Sequence, residues 1–312
     1  MSFVVCGEAL IDLVPDATGA ATPVASSWRA QSAGGPMNTA IALARLGEDV
    51  EFCGRVSTDA FGQQIAQFLA HNDVGDRYVV RSGDPTSLAV VSLDADGKAS
   101  YAFHLEGTAT FRWQAHELPE LEEDDWLHVA SLALIVPPAN TVLAAWAREH
   151  TGPVSIDVNV RPTVLPDPDE YWRRIEPWFE VLGERRGILK ASDEDLAFLA
   201  RGAGLELLPV EVAARWREQY GFSAAVTTLG AEGVHALTAD ADVLRVPGRP
   251  IDLVDTIGAG DTFMGAFLRA HRESGLERAL VEGIAASALV CERRGAQPPL
   301  AAEVAACLAT ER

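Results

Sequence analysis

The sequence predicts an α/β protein built on a parallel β-sheet, on three observations. Phe3–Cys6 is a short, continuous apolar run that ends at Gly7, as expected of a strand buried on both faces of a sheet. Further strand-like runs alternate with helical segments over most of the chain, which is typical of βα units. With 312 residues, of which 48% are hydrophobic, the chain can bury one large core and carry a small appendage.

The other main-domain elements continue this alternation. Glycines bound the first predicted helix, which begins after a diglycine turn and ends before Gly47. The predicted elements are, in order, a helix within 34–47, a strand over 50–56, a helix ending at Leu69, a strand near 127–130, a helix over 140–150, a strand over 154–159, and two strands joined by a glycine turn within 225–234.

The segment between these βα units has a different pattern. Residues 86–93, a turn at 94–97 and residues 100–105 predict a β-hairpin, with Tyr101 and Phe103 on the same side. Such strands within a βα series indicate a small sheet that projects from the main domain. An isolated small sheet leaves an edge and an uncovered face, which favours pairing with a second subunit.

Composition excludes several classes of protein. The chain has 25 Lys plus Arg against 45 Asp plus Glu, so its net charge of −20 argues against nucleic acid as a partner. No stretch reaches the roughly 18 apolar residues that span a bilayer. Glu8 and Asp12 interrupt the first apolar run, so we expect no signal peptide, no membrane contact and a cytoplasmic protein. The four cysteines are scattered, which predicts neither a zinc site nor a disulfide framework.

We place the chemistry at residues 255–267, a junction between a loop and a helix. Gly258 and Gly260 allow a tight turn whose N–H groups converge, and a helix beginning near Gly260 adds its positive end. Asp261 stands within this anion site. Phosphoryl transfer to an alcohol needs a base beside the acceptor hydroxyl, which Asp261 can supply. The alternative is that Asp261 only caps the helix.

Better known phosphate loops do not match this stretch. The two lysines, Lys98 and Lys190, do not follow a Gly-x-x-x-x-Gly run, which excludes a Walker A loop. Gly260 is not followed by a third glycine three residues on, so the dinucleotide fingerprint of nicotinamide dehydrogenases fails as well. A non-catalytic sugar or nucleotide sensor stays open as an alternative, although Asp261 argues against it.

Two further positions suit a small polar ligand. Asn38 lies in the first turn of the helix after Gly34 and Gly35, where its amide either caps the helix or binds a hydroxyl. Glu8 and Asp12 lie at or just beyond the carboxyl end of the first strand, at the edge where open α/β sheets bind ligands, although Asp12 could be a turn residue.

These motifs resemble the signatures of the ribokinase-like (PfkB) sugar kinases. The run from Asp255 to Phe263 is similar to the second signature, and residues 34–47 are similar to the first. The resemblance covers Val4 to Ala296 and implies a three-layer α/β/α sandwich in a single domain, 1–312. It also implies a β-sheet lid formed near 13–33 and 78–112. The implied activity is ATP-dependent phosphorylation of a small sugar, most like fructokinases, with Mg²⁺ and a homodimer joined through the lid.

The resemblance also implies roles for individual residues. Asp261 would take the proton of the sugar hydroxyl, and Arg161 would stabilise the charge of the phosphoryl group. The N–H groups that would hold this phosphoryl group belong to Gly258, Ala259 and Gly260. The implied sugar contacts are Asp12, Gly34, Gly35, Asn38, Phe103 and Asp261. The implied nucleotide contacts are Lys190, Thr228, Gly230, Gly233, Gly258, Gly260 and Ala286.

The chain departs from the family pattern at three places. Ser192 and Asp195 stand where the family has Asn-x-x-Glu, so we expect Asp195 to act on the metal through water. Pro299 replaces a serine in the loop that binds a monovalent cation, which leaves K⁺ dependence open. The lid segment has no arginine between Arg81 and Arg112, and Glu106 there favours a neutral sugar such as fructose. The alternative is 2-keto-3-deoxygluconate or another substrate of the family.

Overall fold

A computed structural model describes residues 2–16, 22, 24–93, 99–238, 240 and 242–310. Its strands are β1 (Phe3–Cys6), β2 (Leu10–Pro15), β3 (Trp28–Ala33), β4 (Val50–Cys53), β5 (Arg55–Ser57), β6 (Val80–Ser82), β7 (Leu88–Leu93), β8 (Ala99–His104), β9 (Trp126–Ala130), β10 (Val154–Asp157), β11 (Ile188–Ser192), β12 (Ala224–Thr228), β13 (Val234–Thr238) and β14 (Val243–Val246). Its α-helices are α1 (Gly35–Arg45), α2 (Ala60–His71), α3 (Ala139–Glu149), α4 (Pro168–Arg185), α5 (Asp193–Gly202), α6 (Pro209–Tyr220), α7 (Ala259–Ser274), α8 (Leu276–Cys291) and α9 (Ala301–Ala309).

The main sheet has eight strands in the order β14-β13-β12-β11-β10-β9-β1-β4. All neighbours from β4 to β12 are parallel, and β13 and β14 are added as antiparallel strands at one side. The predicted α/β class is therefore confirmed. Because the carboxyl ends of parallel strands meet at one edge, this topology defines the edge at which a ligand site is expected.

Helices cover both faces of the main sheet. Along β1, Phe3 and Val5 pack with α1, α2, α7 and α8, whereas Val4 and Cys6 pack on the other face with α3, α4, α5 and α6. All four side chains are fully buried. Burying one large apolar side chain contributes about 1.5–3 kcal/mol to the stability of the fold. The alternating side chains of β1 therefore stabilise the packing of helices on both faces of the sheet. The result is the α/β/α sandwich that the sequence predicted.

A second sheet, which we call the lid, has the order β3-β2-β7-β8. The lid begins at Leu10, which is earlier than the first segment expected for it, 13–33. Strand β6 lies within the second expected segment, 78–112, but it pairs with β5 outside the lid. The hairpin turn expected at 94–97 lies outside the described residues. The structure describes one chain, so the dimer through the lid stays a prediction.

Two strands differ from the sequence prediction. The strand expected over 50–56 is divided at Gly54, because β4 pairs with β1 in the main sheet and β5 pairs with β6 outside it. Strand β10 stops at Asp157, two residues before the predicted end. Asn159 has a φ of 42°, which is a left-handed conformation incompatible with a strand.

Helices α1 and α7 pack closely against each other. At Gly265 of α7, a Cβ would lie 2.7 Å from Cβ of Ala42 and 3.2 Å from the carbonyl oxygen of Thr39. Glycine is therefore required for this approach, which sets the first turns of the two helices side by side. Among the helices of the described ranges, none has the length and apolar character needed to span a bilayer.

Candidate active site

A cavity of about 490 Å³ lies between the carboxyl edge of the main sheet and the lid. We call it the lid cavity. It is lined by β2, β3 and β8 of the lid and by the first turns of α1 and α7. The residues of the predicted site that line it are Asp12, Gly34, Gly35, Asn38, Phe103, Arg161, Gly258, Ala259, Gly260 and Asp261. Motifs from opposite ends of the chain therefore meet in one place.

Asp261 lies in the first turn of α7 and is 9% exposed. Nδ2 of Asn38 donates a hydrogen bond of 2.8 Å to Oδ2 of Asp261. Burial raises the pKa of Asp261, and the hydrogen bond from Asn38 opposes the rise, as do the charges of Lys190 and Arg161. A Cβ at Gly35 would lie 3.2 Å from Oδ1 of Asp261, so glycine keeps a side chain away from this oxygen.

The turn before α7 presents backbone N–H groups to the lid cavity. Gly258 has a φ of 76°, which glycine adopts without strain. Within the described ranges, the N–H groups of Gly258, Gly260 and Asp261 donate to no protein acceptor. The N–H of Ala259 donates to the carbonyl oxygen of Thr256 at 3.2 Å. The turn thus has free N–H donors at the positive end of a helix, whereas the N–H of Ala259, which was also predicted to hold the phosphoryl group, is already bonded.

A buried ion pair lies behind this turn. Nζ of Lys190 is 2.7 Å from Oδ2 of Asp157, and the two side chains are 5% and 3% exposed. Burial alone lowers the pKa of Lys190, but the charges of Asp157 and two other aspartates outweigh it, so the pKa is raised. A Cβ at Gly260 would lie 3.1 Å from Nζ of Lys190. The ammonium group therefore supplies positive charge directly behind the anion site.

Arg161 and Asp12 both line the lid cavity. The backbone N–H of Arg161 donates to the hydroxyl of Tyr171 at 3.1 Å, and its Nη1 donates to the carbonyl oxygen of Val160 at 3.2 Å. Burial raises the pKa of Asp12 to about 6, and the charge of Arg161 opposes the rise. Arg161 thus acts electrostatically on carboxylates that line the cavity.

Tyr101 and Glu8 line the lid cavity beside the predicted sugar contacts. Tyr101 is 39% exposed and stacks on Phe103, with ring centroids 6.1 Å apart. The alternation along β8 could have indicated it, since both rings are on the same side of the strand. Glu8 follows β1 and is only 2% exposed. Its place at the carboxyl end of a parallel strand was a signal for a ligand residue.

Two other expectations need correction. Ala286 is fully buried and packs with Leu46 and Ala266, so it has no surface for the predicted nucleotide contact. Its small side chain serves helix packing instead. Glu106 lines a separate cavity of about 390 Å³ with Arg112, so it does not select sugars in the lid cavity.

Three of the predicted nucleotide residues, Thr228, Gly230 and Gly233, lie at the end of β12 and in the tight loop after it. Gly230 and Gly233 have φ values of 55° and 104°. The N–H of Leu229 donates to the carbonyl oxygen of Gly233 at 2.8 Å. A Cβ at Gly233 would lie 2.1 Å from the carbonyl oxygen of Val246, so the loop needs this glycine. Thr228 ends β12 beside this loop, and contact of these residues with a nucleotide stays a prediction.

Asp195 has a structural position at the start of α5. Its Oδ1 accepts the N–H of Val160 and its Oδ2 accepts that of Ser192, both at 2.8 Å. Ser192 accepts the N–H of Asp195 in return, at 3.0 Å, which completes a capping box. Within the described ranges, no group of three or more His, Cys, Asp or Glu side chains is arranged to hold a metal. The predicted water-mediated role of Asp195 stays a prediction.

Asp255 joins the loop before α7 to the loop after α8. Its Oδ1 accepts the N–H of Ile257 at 3.0 Å, and its Oδ2 accepts that of Gly295 at 2.9 Å. A cleft of about 1020 Å³ beside these loops adjoins the lid cavity and is lined also by Arg29 and Arg294. A K⁺ ion between the two loops stays a prediction.

This geometry is that of an enzyme that transfers a phosphoryl group to an alcohol. A nearly buried carboxylate lies at a cavity for the acceptor, next to free N–H groups at a helix end. The family model for the pfkB family carbohydrate kinases matches residues 2–303. The chain belongs to this family and is a sugar kinase.

Similar proteins cover most of the chain. The fructokinase of Rhizobium leguminosarum bv. trifolii is 35% identical over 274 residues, which are 87% of this chain and 80% of that protein. The fructokinase of Klebsiella pneumoniae is 32% identical over 276 residues, 87% of this chain and 85% of that protein. The crystal structure of the Vibrio cholerae O395 fructokinase with fructose, ADP and calcium is 28% identical, with a TM-score of 0.84 over 99% of both chains. The ribokinase-like fold is thereby confirmed.

Glu8 makes the stability of the fold depend on pH. Burial raises its pKa from the usual 4.5 to about 7, although Ser131 and Arg161 oppose the rise and Asp261 adds to it. The folded chain therefore binds this proton more tightly than the unfolded chain, and stability is lost as the pH rises from 4.5 to 7. Glu8→Gln removes this loss, so we expect the variant to gain up to about 3 kcal/mol relative to the parent between pH 4.5 and 8.

Urea unfolding of both proteins at pH 4.5, 6, 7 and 8 measures this difference. The same substitution at the exposed Glu292 controls for removing one charge from an acidic chain. A stability difference between Glu8→Gln and the parent that stays constant with pH would contradict the raised pKa.

Proposed function

We propose that this kinase transfers the terminal phosphoryl group of ATP to a hydroxyl of fructose or a similar neutral sugar in the lid cavity. The observation that carries the proposal is Asp261. This carboxylate is nearly buried, is oriented by Asn38 at 2.8 Å, and lies directly beside the free N–H groups at the start of α7. A purely structural cap would not need an acceptor-sized cavity at the same point.

In this mechanism Asp261 accepts the proton of the sugar hydroxyl as the new oxygen–phosphorus bond forms and the bond to ADP breaks. The hydrogen bond from Asn38 holds Oδ2, which leaves Oδ1 as the proton acceptor. A raised pKa makes the carboxylate a stronger base at neutral pH. The N–H groups of Gly260 and Asp261 stabilise the transferring group, with Lys190 behind them and Arg161 at the cavity wall.

A divalent cation such as Mg²⁺ would neutralise charge on the phosphates of the nucleotide. Asp157 fits a role in holding it, because its Oδ1 is buried without a hydrogen-bond partner and a carboxylate oxygen is a preferred ligand of Mg²⁺. Mg²⁺ commonly takes only one or two carboxylates and completes its shell with phosphates and water. The absence of a cluster of three ligands in the described ranges is therefore compatible with this role.

Two observations support a neutral sugar. The relatives described above are fructokinases, and the Vibrio cholerae enzyme was crystallised with fructose. The lid cavity itself is lined by three carboxyl groups, Glu8, Asp12 and Asp261, whereas Arg161 is its cation. Sugar hydroxyls can donate hydrogen bonds to carboxylates, whereas an acidic sugar would be repelled by them.

An acidic sugar such as 2-keto-3-deoxygluconate is the second candidate. The cleft that adjoins the lid cavity is lined by Arg29 and Arg294, and a guanidinium group suits a carboxylate. This candidate changes the substrate and leaves the kinase chemistry of Asp261 unchanged.

Asp261→Asn should abolish most activity without loss of the fold. The amide keeps the size of the side chain but cannot take a proton, so kcat should fall about 10²–10⁴-fold while ATP affinity changes little. Fructose-dependent ADP release and ATP titration measure the two quantities. The matched control is Asp252→Asn, an exposed aspartate in the preceding loop. Near-normal kcat in Asp261→Asn would remove this residue from the mechanism.

Fructose should be a better substrate than 2-keto-3-deoxygluconate. Placing a carboxylate near the carboxyl groups of the cavity costs on the order of 1–4 kcal/mol, so kcat/KM should favour fructose at least about tenfold. Both sugars are compared in the same assay. If the acid proves better, the neutral assignment fails, and Arg29→Gln and Arg294→Gln should then lower kcat/KM for the acid selectively.

A further inference from the structure

Glu8 occupies a position that its neighbours fix tightly. It follows Gly7, whose φ is 153° and at which a Cβ would lie 2.3 Å from Cγ of Pro36. A Cβ at Gly34 would lie 2.3 Å from the carbonyl oxygen of Glu8. The backbone of Glu8 is therefore held against the turn that starts α1. Its side chain starts from a rigid base, as a selective ligand-binding group requires.

One carboxylate oxygen of Glu8 has no partner. The residue is 2% exposed, and Oε2 is buried without a hydrogen bond to the protein. A buried carboxylate oxygen without a partner is costly, and such groups in native proteins usually have a specific reason. Glu8 lines the lid cavity, where a bound molecule can provide the missing donor.

The groups around Glu8 show what kind of donor fits. Ser131, held at a φ of 59°, lies near the Glu8 carboxyl group and lowers its pKa. The charge of Arg161 favours the ionised form, whereas burial and the charge of Asp261 disfavour it. None of these groups hydrogen-bonds to Oε2, which is left as an acceptor. A hydroxyl group can donate to it, whereas a carboxylate or a phosphate cannot.

We infer that Glu8 is a specificity-determining residue whose Oε2 accepts a hydrogen bond from a sugar hydroxyl other than the one that is phosphorylated. Asp261 serves the reacting hydroxyl, so Glu8 recognises a second hydroxyl from the main sheet, while Asp12 approaches from the lid. The inference rests on the proposed function, because it names a contact of the same sugar in the same cavity. It selects polyols with a hydroxyl at one particular position.

Monodeoxy analogues of fructose test this contact. Each analogue lacks one hydroxyl, and kcat and KM are measured for the parent enzyme and for Glu8→Ala and Glu8→Gln. For the parent, we expect one analogue with an unaltered reacting hydroxyl to lose at least about tenfold in kcat/KM, mainly through KM, since a hydrogen bond to a charged group is lost. For Glu8→Ala, kcat/KM for that analogue and for fructose should agree within about threefold. For Glu8→Gln, the loss in kcat/KM should be intermediate, because the amide oxygen can still accept a hydrogen bond.

The controls separate the possible failures. Glu282→Gln changes a buried glutamate that pairs with Arg269 and Arg278 outside the lid cavity, and it should keep the preference of the parent for fructose. If Glu8→Ala does not fold, the test is whether Glu8→Gln loses less kcat/KM than the parent when fructose is replaced by that analogue. Equal losses for fructose and for every analogue would show a structural role and overturn the inference. If the parent releases no ADP with any sugar, the proposed function itself fails.

Discussion

A single hydrogen bond joins the two motifs on which the site depends. Asn38 and Asp261 are 223 residues apart in sequence, yet Nδ2 of Asn38 donates a hydrogen bond of 2.8 Å to Oδ2 of Asp261. The contact is possible because Gly265 lets α7 approach α1 closely. Each motif alone is a glycine turn before a helix. Only their contact places an oriented carboxylate, a diglycine turn and free N–H groups around one cavity.

Charge is the second constraint on the site. The chain carries a net charge of −20. Buried aspartates lie together at the carboxyl edge of the main sheet, where their charges repel one another and a nucleotide. Lys190, one of two lysines in the chain, is buried among them and pairs with Asp157. Positive charge is thus concentrated behind the anion site. Local donors, rather than the overall field, must attract the phosphates.

The sequence predicted the parts of the site that depend on local chemistry. A parallel strand ending at Gly7, the diglycine turn at Gly34 and the acid after Gly260 each have a signature that reading along the chain detects. Gly34, Gly260 and Asp261 line the lid cavity, together with Glu8, which follows Gly7. The fold class was predictable for the same reason, because buried parallel strands and amphipathic helices have distinct patterns.

The errors arose where three-dimensional packing decides the role of a residue. Small residues of α8 are compatible with an adenine site or with helix packing, and burial of Ala286 shows the second. Glu106 follows the aromatic strand in sequence, but the chain turns it towards another cavity. Glu8 is an intermediate case. Its place after β1 indicated the ligand-binding edge of the sheet, but only the packing of the folded chain shows that its side chain is enclosed.

The short connection between β1 and β2 has a consequence for how the enzyme distinguishes a sugar from water. Residues 7–9 are all that separates the last residue of the main sheet from the first strand of the lid. Glu8 therefore directly follows the main sheet, whereas Asp12 lies in β2 of the lid. A sugar that binds both carboxyl groups, as proposed, would link the main domain to the lid, which a water molecule bound to one of them would not do.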